Sequence, residues 1–203
     1  LFNWDDVTDG SGINRYTLEL ATTSGFGGTI VLTQNIDGSP PNSQFQYAGT
    51  PLTEGTQYFW HGRATDGTNN VGAFSSTFSF TVDTTIPAAP TITSPTAGIR
   101  NTPISSIAGT SEASGLTIEV FNGATSLGTT TSVAGGAWTL TLGSSLGDGT
   151  YSLTATAKDA ATNTSPASTA VVVTVDTIPP DAPVITDPVA GIRNTAISEI
   201  TGT

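Results

Sequence analysis

Asp83 and Asp176 stand 93 residues apart (176 − 83), each closing a valine-rich run and opening a proline-rich one: Thr81-Val82-Asp83-Thr84 and Thr174-Val175-Asp176-Thr177. With Glu112, Asp159 and Asp181 they are the residues whose type and position could do chemistry. Carboxylates supplemented by backbone carbonyls are hard oxygen donors of the kind Ca2+ takes, about 6 to 8 of them at about 2.3–2.6 Å. Calcium is therefore the expected cofactor, with Asp83, Glu112, Asp159, Asp176 and Asp181 as its candidate ligands. The plainer alternative is that Asp83 and Asp176 cap turns and that the others are solvated loop charges.

Catalysis finds little support. His61 is the single histidine, and its place between inward-facing Trp60 and Gly62 puts it on the outer face of a strand as a surface residue. No Ser or carboxylate is set beside it by any motif to complete a relay. A carboxylate pair for glycoside hydrolysis would need an aromatic-lined cleft that the sequence does not reveal, and the chain is read as no enzyme. Phe26, Phe59 and Phe74 are candidates for a flat carbohydrate-binding platform, weighed against an ordinary surface or loop-packing role. With no cysteine, disulfides and thiolate metal sites are unavailable. Sixteen acidic against five basic residues give a formal charge of −11, which repels phosphate backbones and anionic bilayers; nucleic acid is not an expected partner, whereas cations are. No run of about 18 apolar residues occurs, so this segment is not expected to insert in a membrane.

The elements that must position these acids read as short strands. Glycine, proline, Ser, Thr and Asn are abundant and long helix formers scarce, which suits strands joined by turns. Period-two alternation places Phe2 and Trp4 on one face of a first strand and Tyr16, Leu18 and Leu20 on a second. Ile30 and Leu32 fall on a short third strand, Phe45 and Tyr47 on a fourth. Tyr58, Trp60, Gly62 and Ala64 face inward on the next, and Phe78, Phe80 and Val82 on the last. The scheme then recurs with different wording. Ile92, then Ile104 and Ile107, then Leu116, Ile118 and Val120 occupy successive strands, and Asn122-Gly123 offers the two positive-φ positions of a tight hairpin. Trp138, Leu140 and Leu142 follow, then Leu153 to Ala157, then Val171, Val173 and Val175. The stretch Asp83–Thr110 itself returns as Asp176–Thr203, the signature of serial domains.

Two resemblances follow from these stretches. Leu52-Thr-Glu-Gly-Thr-Gln-Tyr58 resembles the tyrosine corner of fibronectin type III and immunoglobulin-like sandwiches, in which a Tyr hydroxyl ties a strand start to the preceding loop. Residues 1–83 are thus similar to a fibronectin-III-like sandwich lacking its first strand. VDTTIPAAP, IAGTSEASGLTIEVF, LGTT, AWTLTL, LGDGTYSLTATAKDAATNTS and VDTIPPDAP resemble the bacterial immunoglobulin-like repeats of large surface adhesins and biofilm proteins. They mark residues 84–176 as one such sandwich and 177–203 as the first strands of a further repeat. The family resemblance implies an extracellular, cell-surface location and calcium at the junctions. In a seven-strand sandwich the last strand ends at the pole opposite the one where the chain enters. Asp83 is therefore expected near Glu112 and Asp159 of the following domain, and Asp176 and Asp181 at the next joint with Asp148 beside them. Lys158 is the only lysine, so the internal lysine crosslinks of some family members are excluded for residues 1–83.

The expectation is an all-β extended array of tandem immunoglobulin-like and fibronectin-III-like sandwiches, serving as a rigid spacer or stalk of a bacterial adhesin or surface filament. Proline connectors, Ile86-Pro87-Ala-Ala-Pro90 and Ile178-Pro179-Pro180-Asp-Ala-Pro183, stiffen its joints. Its partners would be neighbouring repeats or identical subunits, with surface glycans or proteins met through other regions. Two alternatives stay open. The tail 177–203 could complete the first domain of a neighbouring subunit and build a filament, or the chain could be a carbohydrate-binding accessory module of a secreted polysaccharide-degrading enzyme.

Overall fold

The computed structural model describes residues 1–37, 43–187, 191 and 196–202. It is built almost wholly of β-strands and falls into two compact units, Leu1–Ile86 and Pro87–Thr203. No helix among the described residues is long and apolar enough to cross a membrane.

The first unit carries six strands: β1 (Phe2–Asn3), β2 (Ile13–Ala21), β3 (Ile30–Asp37), β4 (Gln44–Phe45), β5 (Gln57–Asp66) and β6 (Phe78–Thr81). β1 pairs antiparallel with β4, while β3-β2-β5-β6 form an antiparallel sheet in that order. The two sheets enclose Phe2, Leu18, Leu20 and Tyr58, with Trp4, Phe45, Tyr47, Trp60, Phe80 and Val82 packed around them. These are the residues that alternation assigns to the inner face, because successive side chains on a strand point to opposite sides. Two assignments change. The third strand is not short: it runs eight residues, its polar half Thr33–Asp37 being held by pairing with Arg15–Glu19, and a register shift at Leu20/Ala21 leaves Ile30 exposed. Phe78, expected inside, is 55 % exposed because no strand among the described residues covers the outer edge of β6.

The second unit contains β7 (Thr91–Ser94), β8 (Gly98–Arg100), β9 (Ile104–Thr110), β10 (Thr117–Asn122), β11 (Thr125–Thr131), a 3-10 turn (Ala134–Gly136), β12 (Ala137–Leu146), β13 (Gly149–Lys158) and β14 (Val171–Val175). A three-stranded sheet, β12-β9-β7, faces a five-stranded one, β11-β10-β13-β14-β8. Between them lie Ile104, Ile107, Leu116, Ile118, Val120, Trp138, Leu140, Leu153, Val173 and Val175, with Ile92 of β7 packed alongside. The hairpin between β10 and β11 differs from expectation. Asn122 stays in the ladder opposite Thr125, the turn centres on Gly123-Ala124, and only Gly123 has positive φ (58°). Beyond β14, β15 (Ile185–Asp187) pairs with β16 (Thr201–Gly202). That pairing, Ile185↔Gly202 and Asp187↔Thr201, is the β7–β9 pairing Ile92↔Gly109 and Ser94↔Ala108 displaced by 93 residues (185 − 92).

The same displacement relates the two units across β5 and β13. Thr65↔Val71 and Lys158↔Thr164 are isolated bridges, and Asn69 and Thr162 both adopt positive φ (69° and 73°). The Gly62 amide donates to Ser75 Oγ at 3.2 Å and the Ala155 amide to Ser168 Oγ at 3.0 Å. Two stretches sharing few letters thus fold to one hydrogen-bond pattern.

Candidate functional site

In each unit a corner carboxylate clamps the chain just past a core strand. Leu52-Thr-Glu-Gly precedes β5, and Thr53 N–H donates to the Tyr58 hydroxyl at 2.9 Å, fixing this corner. From the corner Glu54 reaches the chain just past β6. Its Oε2 accepts the Thr84 amide at 2.7 Å and the Thr84 hydroxyl at 2.6 Å, and its Oε1 accepts the Thr85 hydroxyl at 2.9 Å. In the second unit the Tyr151 hydroxyl donates to Gly147 O at 3.0 Å, and Asp148 Oδ1 accepts the Thr177 amide at 2.7 Å and hydroxyl at 2.8 Å. The shorter aspartate sits three residues before its tyrosine and the glutamate four before its own, so length and position compensate. The Thr84 hydroxyl first, then its amide, hold the Glu54 carboxyl below the usual range. Hydrogen bonds to an ionised acceptor are the stronger kind.

Of the candidate ligands, Asp83 and Asp176 act as turn caps. Asp83 Oδ1 accepts the Thr85 amide and Asp176 Oδ1 the Ile178 amide, each at 3.1 Å. Asp159 accepts the Asn163 backbone amide at 2.9 Å and its side-chain amide at 3.0 Å, which engages the asparagine of a formal glycosylation sequon. Glu112 and Asp181 are exposed. Within either unit, among the described residues, no three acidic or histidine side chains converge as a metal cage. Glu54 was absent from the expected set, yet it had a signal: each corner motif carries one acid directly before a glycine.

Asp66 occupies the position in the first unit that Asp159 holds in the second. It accepts the Thr68 amide and hydroxyl at 2.8 and 2.9 Å and the Asn70 backbone and side-chain amides at 2.8 Å each. The Asn70 side chain is the main cause that brings its pKa down to about 2. A folded-state pKa below the unfolded one means stability that is complete above about pH 4 and is lost as pH falls through about 2. We expect the Asn70 side-chain amide resonance to titrate with a midpoint near 2 and Asp66→Asn to abolish that step; a midpoint at the ordinary aspartate value would contradict the bonding described.

His61 lies on the outer side of β5 as expected, but it is only 8 % exposed. Phe26 stacks on one face of its ring (centroids 3.5 Å apart, 8° between planes) and Phe74 on the other (3.8 Å, 14°). The Arg63 guanidinium covers the far side of Phe74 at 4.4 Å, and His61 Nε2 pairs with Glu19 Oε2 at 3.1 Å. Alternation gives the face a side chain takes but not what loops fold over it, which is why the burial was invisible in the sequence. Phe26 and Phe74 consequently spend ring faces on His61 and Arg63 instead of forming a shared platform with Phe59.

Residues 98–177 match the family model of the bacterial Ig-like domain. The second unit carries a bacterial Ig-like domain. The match begins at β8 and ends at the clamped Thr177, the residue Asp148 holds. Among solved structures, the chain is similar to the fibronectin(III)-like modules of Clostridium thermocellum CbhA, with 12 % identity, a TM-score of 0.51, and coverage of 83 % of this chain and 81 % of that one. It is also similar to domains FN1–FN3 of chicken CNTN1, with 15 % identity, a TM-score of 0.54, and coverage of 85 % and 58 %. Identities this low show the fold alone. No curated protein matches the sequence. The first unit accordingly has a fibronectin-III-like fold, and the Ig-like domain follows it in the chain.

Proposed function

We propose that the chain is a load-bearing spacer of an extracellular bacterial adhesin or surface filament. Strand ladders within each unit bear tension, and the clamped proline connectors set reach and stiffness. The observation that carries this reading is the repetition of the clamp. In both units a corner carboxylate takes the amide and hydroxyl of the threonine that opens the connector, although the two corners differ in length and in acid. A link that holds its exit strand in the same way twice is suited to transmitting force and direction. The carbohydrate-binding alternative is weaker, because the Phe26–His61–Phe74 column leaves no common aromatic plane.

Calcium at the joints belongs to the proposal. Asp83 and Asp176 already give one oxygen to an amide, and a carboxylate oxygen keeps a second lone pair for a cation. Asp159, Glu112 and Asp181 would complete the donor sets, and the charge of −11 favours cation uptake. Small-angle scattering with calcium and after chelation tests both parts. The spacer reading expects a radius of gyration well above the roughly 17 Å of one globule of this length, together with calcium uptake and a maximum dimension that falls on chelation. A single-globule radius contradicts the spacer; an unchanged dimension without uptake removes the ion and leaves the protein clamps.

A further inference from the structure

Asn122-Gly123 is the only Asn-Gly pair in the chain. Where the backbone is free, such a pair reacts with itself. The Gly123 nitrogen attacks Asn122 Cγ and closes a succinimide ring, and Nδ2 leaves as ammonia. Water then opens the ring at either carbonyl, giving aspartate or isoaspartate, so water is the only other reactant. Glycine makes the attack easy because no Cβ shields its nitrogen. In the folded Ig-like domain both reacting groups are held by one residue of β13. The Gly123 amide donates to Ser152 O at 3.0 Å, which engages the attacking nitrogen and its proton. Asn122 Oδ1 accepts the Ser152 amide, also at 3.0 Å, which ties the carboxamide to the neighbouring strand. Asn122 is further fixed in ladders on both sides, opposite Leu153 of β13 and Thr125 of β11. Both Ser152 bonds run between the end of β10 and β13, so they are lost together when those strands part.

We propose that Asn122 is a self-modification site gated by separation of the β10–β11 hairpin from β13: closed in the folded domain, reactive once the Ser152 contacts open. Gly123 and Ala124 at the hairpin tip are exposed, so opening there begins without breaking the core. Local openings of this kind cost less than global unfolding. Isoaspartate routes the main chain through the former side chain and adds one carbon to it. The register that sets Asn122 opposite Thr125 is then not regained. An opening is thereby written into the chain as a covalent change. In a load-bearing spacer that change marks the units that have been strained; this consequence rests on the spacer reading, and the chemistry does not.

Peptide mapping by mass spectrometry, with isoaspartate resolved from aspartate, tests this on the full chain held in mildly alkaline buffer with and without denaturant. Asn101, exposed and followed by the branched Thr102, is the internal reference. In denaturant Asn122 converts far faster than Asn101. In the folded chain two hydrogen bonds of ordinary strength slow Asn122 by about tenfold to a hundredfold. Ser152→Pro, at an exposed position, removes the amide that holds Oδ1 and restores part of the denatured rate. Where that variant fails to fold, the parent chain with and without denaturant still decides. Folded-state conversion as fast as in denaturant, or a folded Ser152→Pro no faster than the parent, overturns the gate. A denatured rate no higher than that of Asn101 overturns the site. Neither result bears on the scattering test of the spacer, so the two readings fail separately.

Discussion

Alanine at Gly109 is expected to strip the second unit of about 3 kcal/mol while leaving the first unit untouched. Gly109 sits on β9 between β7 and Trp138, and a Cβ built there meets the Thr91 carbonyl oxygen and the Trp138 ring. A backbone carbonyl in a ladder cannot swing aside as a side-chain tip can. Relief therefore requires both parting β7 from β9 and displacing Trp138 within a core that includes Ile107 and Leu140. Overpacking costs about 1–3 kcal/mol, occasionally more, and a clash against backbone belongs at the top of that range. Against a total stability of about 5–15 kcal/mol such a loss is large. Calorimetry reads it as two transitions, of which the one assigned to the Ig-like domain moves down and the other stays. A coincident shift of both would show that the units do not fold separately; no shift would place Trp138 and Thr91 elsewhere.

Much of the architecture was legible in the sequence, and the reasons are visible in single residues. Leu18, Leu20, Ile118 and Val120 announce their face because a strand repeats every two residues and a buried face tolerates little else. The corner tyrosines, Tyr58 and Tyr151, bond to the backbone upstream as their motifs imply. What escaped depends on contacts between segments distant in sequence. His61 is covered by loops carrying Phe26 and Phe74, and Phe78 is half-exposed because no strand among the described residues lies beside the outer edge of β6. Neither fact is written in the alternation of its own strand. Gly123 shows a third limit: the Asn-Gly pair marked the turn correctly, but ladder register, with Asn122 opposite Thr125, decided which two residues form its tip.

The acids were read for charge and spacing, and the structure adds what each one holds. Asp83, Asp159 and Asp176 organise backbone amides locally, and the clamps themselves are made by Glu54 and by Asp148, which the sequence placed only beside the second joint. Joint stiffness in this account begins with hydrogen bonds inside each unit and is available before any ion arrives. Lowering pH should loosen the first clamp, because a Glu54 pKa below its unfolded value gives stability that disappears as the carboxyl protonates on acidification.

The second large effect is mechanical. Removing the Glu54 carboxylate releases three donors on Thr84 and Thr85 at the start of the first connector. Glu54 itself is solvent-exposed, so Glu54→Ala leaves the core of the first unit intact while freeing the chain up to Pro87. Asp148→Ala frees Thr177, two residues past the end of β14. The chain has no cysteine, so Ser24→Cys and Ala124→Cys, both exposed, give one dye site in each unit. Single-molecule energy transfer between them is the most direct measurement of the central claim. Clamped connectors predict a narrow distance distribution in the parent, a clearly broader one in Glu54→Ala, and no change in Asp148→Ala, whose clamp lies outside the dye pair. A parent distribution already as broad as that of Glu54→Ala would contradict it.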